Sequence, residues 1–366
     1  MKKAFVFILL LVCVITVFPA CTTTADEASL SSAQIQSTAT IVEVSKYGNV
    51  YLGLPSQIFL EAFSLGDLVT VQAGDQYIIA PVVTSYSDVD SSDPLVKVDG
   101  DYVEVALSYA DFAGTYSVGA GDDLVITMYQ EGGYLAEYEI RHLERSESRE
   151  DYASDEIFAN FRPLSGGQLK ENFLYRSCNP ALDDARAPYA DALAEKAGIR
   201  TVVNLADSEE SLLSTMDPDS YYAGLYNDGQ VVLLNMGIDF RSADFASKLK
   251  TGLEFIISHP EGPVLIHCNE GKDRAGMVSA LLEALAGASM DEIIADYMTS
   301  YVNYYNVEPD SLQYETISSI ITDFFTEING RPFPLNSLQQ VTEVYLVNTV
   351  GLTEAQVESL KAVITE

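Results

Sequence analysis

Residues 264–285 constrain this chain more than any other stretch: VLIH at 264–267 runs into CNEGKDR at 268–274 and then into AGMVSALLEAL at 275–285, whose apolar positions recur with helical period. A strand, a seven-residue loop and a helix in direct succession point to an α/β sheet, where such loops sit at the carboxyl ends of strands. Successive backbone amides of the loop and of the helix's first turn can converge there on one anion, and the helix dipole favours its charge. Gly271 allows the tight turn and the close backbone approach. Cys268 opens the loop, and a cysteine at a helix N-terminus beside a cation ionises more readily than a free thiol, which makes it the expected nucleophile. Arg274 closes the loop with a planar fork of donors able to grip two phosphoryl oxygens and follow them as phosphorus turns trigonal. The predicted phosphate-binding set is Asn269, Glu270, Gly271, Lys272, Asp273 and Arg274.

The surrounding sequence keeps the same rhythm. Strands are predicted at 174–177, 201–205 and 231–234, with helices at 185–197, stopped by Gly198, and at 244–258, with Ser242 as a possible N-cap. Strand after helix after strand predicts an α/β fold with a mainly parallel sheet flanked by helices. A capping box at 289–292 starts a further helix that carries Tyr297, Tyr301, Tyr304 and Tyr305 on one face. That aromatic stripe reads as packing before it reads as a lid over an aromatic ester. The segment 352–356 caps a closing amphipathic helix with Val357, Leu360 and Ile364 inward.

The loop, with His267 before it and Gly271 and Gly276 in place, resembles the His-Cys-x5-Arg-x-Gly signature of the cysteine-dependent protein tyrosine phosphatase superfamily. HCNEGKDRAG is similar in particular to the bacterial secreted tyrosine phosphatases whose loop reads HCxxGKDRxG, some of which also accept phosphoserine and phosphoinositides. Supporting stretches are NFR at 160–162, GG at 166–167, LYRS at 174–177, GIRTVV at 198–203 and DYMTSY at 296–301, so the resemblance runs from about 158 to 366. Pro163 departs from the usual Asp, and Asn204-Leu-Ala206 from the usual Asp-Leu-Arg. The resemblance implies a tyrosine phosphatase-like domain in which Cys268 attacks phosphorus, Arg274 holds the phosphoryl oxygens, a cysteinyl-phosphate forms, and neither metal nor cofactor takes part. For the general acid it implies either Asp273, as in the HCxxGKDR subgroup, or an Asp on a separate upstream loop, here Asp239 or Asp244; Asp273 is favoured. Lys272 is expected to contact the phosphoryl group, and His267 to support the loop by hydrogen bonding. Cys178 reads as a buried thiol.

The N-terminal half has a different grammar. Short β-type runs at 40–44, 67–71, 77–83, 95–98, 102–107 and 123–128 alternate with Gly- and Asp-rich turns, predicting a small all-β barrel or sandwich domain over 39–142. SKYGNV at 45–50, Gly66-Asp67, YSDV at 86–89, Pro94-Leu95 and Gly121-Asp122 resemble the C-terminal β domain of S-adenosylmethionine hydroxide adenosyltransferases. Catalysis in those enzymes needs a second, large domain, so the resemblance implies a fold and no activity. Asp67, Asp88 and Asn49 read as turn formers before they read as a ligand edge. The charged stretch 143–157 reads as a linker to a catalytic domain over 158–366.

Lys2 and Lys3, the apolar run 4–17 and VFPAC ending at Cys21 resemble a bacterial lipoprotein signal over 1–20, which implies lipidation of Cys21 and a tether over 21–38. With 54 acidic against 20 basic residues and a formal charge of −34, a nucleic-acid partner is excluded, and anionic headgroups would repel the chain. Membrane attachment must therefore come from lipid, at the extracytoplasmic face. The expected function is hydrolysis of phosphomonoesters, foremost protein phosphotyrosine. Phosphoinositides or inositol phosphates are the alternative substrate, and a weakly active extracellular binding module is the alternative of another class.

Overall fold

The computed structural model describes residues 35–366. The predicted signal, Cys13 and Cys21 lie outside these described residues.

Seven strands form the N-terminal unit: β1 (Gln36–Val44), β2 (Val50–Pro55), β3 (Leu68–Ala73), β4 (Gln76–Val83), β5 (Pro94–Lys97), β6 (Tyr102–Leu107) and β7 (Asp123–Gln130). They close into a barrel in the order β1-β2-β6-β5-β4-β3-β7, which leaves no unpaired edge. All pairings are antiparallel except β4 with β5. Side chains alternate as the pleat requires: Val69, Val71 and Ala73 of β3 are buried in the barrel core, while Thr70 and Gln72 between them are half-exposed. Within the barrel, strand β2 is the one the sequence pattern misses. Its Val50 and Leu52 are fully buried, but Gly53 and Pro55 interrupt the run and read as loop residues.

The C-terminal unit is a five-stranded sheet of β8 (Arg162–Pro163), β9 (Leu174–Ser177), β10 (Thr201–Asn204), β11 (Val231–Leu233) and β12 (Val264–His267), in the order β11-β10-β12-β9-β8. The four central and distal strands are parallel; β8 runs antiparallel at the edge, where Pro163 costs no ladder donor. Successive residues face opposite cores. Val264 and Ile266 pack with Val203 and Leu174 on one side, Leu265 with Val202 and Tyr175 on the other. Burial on both faces explains why these strands read as continuous apolar runs. The helices Ala187–Ala197 and Tyr221–Asn227 cover the second side. The first side carries Ala243–Ser258, Asp273–Leu285, Met290–Tyr305, Leu312–Asn329, Leu338–Asn348 and Glu354–Ile364. The helix Asp273–Leu285 is buried at every position from Ala275 on, so it is central to this layer.

The segment between the two units is more than a spacer. The helix Leu135–Arg141 sets Tyr138 against the barrel's small core of Val83, Val89, Leu95 and Ala106, and Ile140 against the core of the C-terminal unit. Beyond it, the stretch read as a linker contains a short helical turn at Arg149–Asp151, and it brings Arg145 to the loop at 268–274.

Candidate active site

The carboxyl ends of β9, β10, β11 and β12 meet at one rim of the sheet, where parallel α/β folds place their ligands. The loop after β12 is held there from below through its carbonyls. Asn269 O accepts from the Asn179 amide at 3.0 Å. Glu270 O accepts from Asn160 Nδ2 at 3.1 Å and from Tyr304 Oη at 3.0 Å. Gly271 O accepts from Arg176 Nη2 at 2.7 Å, and Lys272 O from the same nitrogen at 2.8 Å. In a trans peptide the next amide points opposite to its carbonyl, so these contacts turn the N–H groups of Glu270, Gly271, Lys272 and Asp273 toward the cavity. The helix that follows starts at Asp273 with no side-chain cap, and its first-turn donors are left to a ligand. Gly271, at φ +67°, sits so close to β9 that a Cβ would lie 2.2 Å from the Ser177 carbonyl oxygen. No other residue fits that approach.

The donors beneath the loop form one buried network. Asp296 takes Arg162 Nε at 2.7 Å and Arg176 Nη1 at 2.5 Å. Burial opposes its ionisation, yet the two guanidinium groups outweigh burial and hold its carboxyl below the ordinary carboxylate value. Arg162 also donates to Asn160 Oδ1 at 2.6 Å, and Asn160 adopts the left-handed backbone (φ 50°) that Asn tolerates. Glu283 is buried among the same charges, and burial pushes its carboxyl well up. In the sequence the stretches 160–162, 174–177 and 296–301 carry only a resemblance; that Asn160, Arg162, Arg176 and Asp296 act together on the loop backbone is decided by contacts across up to 134 residues of chain.

Most of the predicted loop residues share one cavity of about 540 Å³, lined by Met236, Gly237, Ile238, Cys268, Asn269, Glu270, Lys272, Asp273 and Arg274. Arg274 Nη1 donates to the Met236 carbonyl at 3.2 Å, which keeps the guanidinium against the cavity wall beside Cys268. Lys272 sits over the Tyr301 and Tyr305 rings, 5.0 Å from each centroid, and donates to Tyr305 Oη at 3.2 Å. Burial works against its charge, but Asp273, Glu270 and Tyr305 outweigh it and raise its pKa. Tyr297, Tyr301 and Tyr304 are buried, so the aromatic stripe packs as expected; it also grips the loop, through Tyr304 to Glu270 and Tyr301 to Asp273 Oδ1 at 3.4 Å.

The two upstream acids stand apart from this group. Asp239 Oδ1 accepts from the Arg241 amide at 3.1 Å, Asp244 pairs with Lys248 at 2.8 Å, and neither lines the cavity. His267 is fully buried with Nε2 3.0 Å from Tyr222 Oη; burial lowers its pKa to about 4 and keeps the ring neutral. Asn204, at one of the two departures, organises the turn after β10: its Nδ2 reaches Asp207 Oδ2 at 2.9 Å and its Oδ1 takes the Ala206 and Asp207 amides. Cys178 is buried and free, and burial pushes its thiol up.

An amide-lined loop with cysteine at one end and arginine at the other, at the carboxyl edge of a parallel sheet, defines a cysteine-dependent phosphatase. The sequence profile of the tyrosine phosphatase family matches residues 156–366, more than half of the chain, and the chain belongs to that family. The profile of the SAM hydroxide adenosyltransferase C-terminal domain matches residues 39–125. No curated protein matches. Among solved structures, Pseudomonas aeruginosa TpbA is similar at 19% identity over 50% of this chain and 91% of its own, with a TM-score of 0.30. The core catalytic domain of the PP-IP phosphatase Siw14 from Saccharomyces cerevisiae aligns at 20% identity over 45% and 93%, TM-score 0.28. An uncharacterized conserved protein from Thermotoga maritima aligns at 29% identity over 25% of this chain, TM-score 0.24; the chain spans about a third, 35%, of that protein's length.

Proposed function

We propose that the chain hydrolyses protein phosphotyrosine at the extracytoplasmic membrane face, held there by lipid on Cys21. The observation that carries the reaction is the common cavity of Cys268 and Arg274 at a loop whose carbonyls from Asn269 to Lys272 are taken by donors beneath it. In this reading a phosphoryl group sits in the loop with its oxygens on the amides of residues 270–274 and on the Arg274 guanidinium. The Cys268 sulfur forms a bond to phosphorus as the P–O ester bond breaks, and Asp273 gives its proton to the departing phenolate oxygen. Water then attacks phosphorus, returns a proton to Asp273 and releases inorganic phosphate and the sulfur. Asp273 is the acid of choice because it alone of the three candidates lines the cavity. Ile238, 54% exposed, provides an apolar flank for an aromatic ring at the mouth.

Turnover of a chromogenic aryl phosphate by the wild type, abolished in Cys268→Ser, tests the thiol route; activity that survives the substitution removes it. Asp273→Asn is expected to slow a phenyl phosphate by ~10²- to 10⁴-fold and a nitrophenyl phosphate by less, since a better leaving group needs less proton donation. Equal losses on the two esters would reassign the acid. Labelled palmitate incorporated by the wild type and not by Cys21→Ser checks the anchor.

A further inference from the structure

Glu270 is an unusual occupant for an anion-binding loop, because its side chain puts a carboxylate at the mouth of a site meant for phosphate. It is also held in place from both sides. Oε1 lies 3.1 Å from Arg145 Nη1 and Oε2 lies 3.2 Å from Lys272 Nζ, so one carboxylate bridges the two cations of the rim. Neither cation is spare. Arg145 also pairs with Glu147 at 2.9 Å and stacks over the Tyr304 ring at 5.1 Å, while Lys272 faces Asp273 at 3.9 Å as well as its two tyrosine rings. The rim thus sets Glu270, Glu147 and Asp273 against Arg145, Lys272 and Arg186, the last 3.6 Å from Glu147, so every cation already faces a carboxylate and no net positive charge is left for a second phosphate. Tyr304 fixes the Glu270 backbone at the same time, through its carbonyl.

A phosphomonoester brings a charge of about −1.5 to −2 at neutral pH, and the amides and Arg274 are placed for one such group. A second phosphate on the same small molecule would meet the Glu270 carboxylate and two cations already engaged by it. We propose that Glu270 is a specificity-determining residue: by bridging Arg145 and Lys272 it confines the pocket to substrates with a single phosphate and rejects polyphosphorylated rings. Arg145 comes from the segment joining the barrel to the catalytic unit, so that segment forms part of the gate. The proposal rests on the phosphatase reading above, and its test is built on binding so that the two can fail separately.

The ligands are O-phosphotyrosine and inositol hexakisphosphate, titrated by calorimetry into the full chain carrying Cys268→Ser. The hexakisphosphate is expected to bind no tighter than phosphotyrosine; affinity tenfold or more greater would overturn the gate, and this measurement needs no change at the rim. Adding Glu270→Gln is expected to shift the affinity ratio at least tenfold toward the hexakisphosphate, and adding Arg145→Gln to that protein is expected to reverse the shift, because the released arginine is what the second phosphate would grip. A ratio that stays put in Glu270→Gln, or a gain that persists without Arg145, would also overturn it. Absence of aryl phosphate turnover in the wild type, measured separately, sinks the phosphatase reading and the gate with it.

Discussion

The barrel and the catalytic unit both bury charged side chains, and they use them in opposite ways. In the barrel, Asp88 takes the amides of Thr84 and Ser85 at 3.0 and 2.8 Å, and Asp67 takes the amide of Ser64 at 2.7 Å and, 65 residues on, that of Gly132 at 2.7 Å; each carboxylate fastens turns of the barrel itself. In the catalytic unit, Arg176 reaches Gly271 and Lys272 across 95 and 96 residues of sequence, and Asp296 joins it to Arg162. A local bond keeps a turn; a long-range bond shapes a surface that no local bond could hold open. Buried charge in the barrel is thus a matter of folding, and buried charge beneath the loop is a matter of chemistry as well.

The strongest way to break this contrast is Arg176→Met. It leaves Asp296 short of a partner in a dry site and strips Gly271 and Lys272 of their donor, so a stability loss of about 3–5 kcal/mol is expected in chemical denaturation, together with a fall in kcat. Loss of stability with kcat intact would mean the network supports the fold alone. His267 sharpens the same side. Its folded pKa of about 4 lies below the ordinary value near 6.5, so between those pH values the unfolded chain binds a proton that the folded chain refuses. Through His267 stability should fall as pH drops across that window, by about 3 kcal/mol at most, while the raised carboxyl of Glu283 pulls the other way, so the histidine's share is the difference in slope between the wild type and His267→Gln. Urea melts at pH 7, 5.5 and 4.5 read it out. The smallest effect belongs to the barrel: Asp88→Ala should cost about 1 kcal/mol, as loss of a cap does, and leave kcat/KM for an aryl phosphate unchanged. A drop in turnover there would show that the barrel communicates with the loop, by way of the helix Leu135–Arg141.

Much of the architecture was legible because it is written in local pattern. Strands β9 and β12 fall where the apolar runs place them, the helix Ala243–Ser258 starts from its Ser242 cap, and Val357, Leu360 and Ile364 point inward from the closing helix. Strand β2 escaped because Gly53 and Pro55 carry turn chemistry inside a strand, and β8 because two residues at an edge have no periodicity to read. At the site, the strand, loop and helix around Cys268 were visible for the same reason that the turns were: their residues are consecutive.

What the sequence alone determined, then, is the loop and its chemistry, since backbone amides, a thiol and a guanidinium within seven successive residues are brought together by chain connectivity. Tertiary structure decided which acid stands in the cavity, removing Asp239 and Asp244 from it and leaving Asp273 there. It also decided that Asn160, Arg176 and Tyr304 turn the loop's carbonyls away, and that Arg145 meets Glu270 at its rim. The physical reason is reach: a hydrogen bond spans about 3 Å, and only packing of the whole sheet and its helices brings residues a hundred positions apart within that distance.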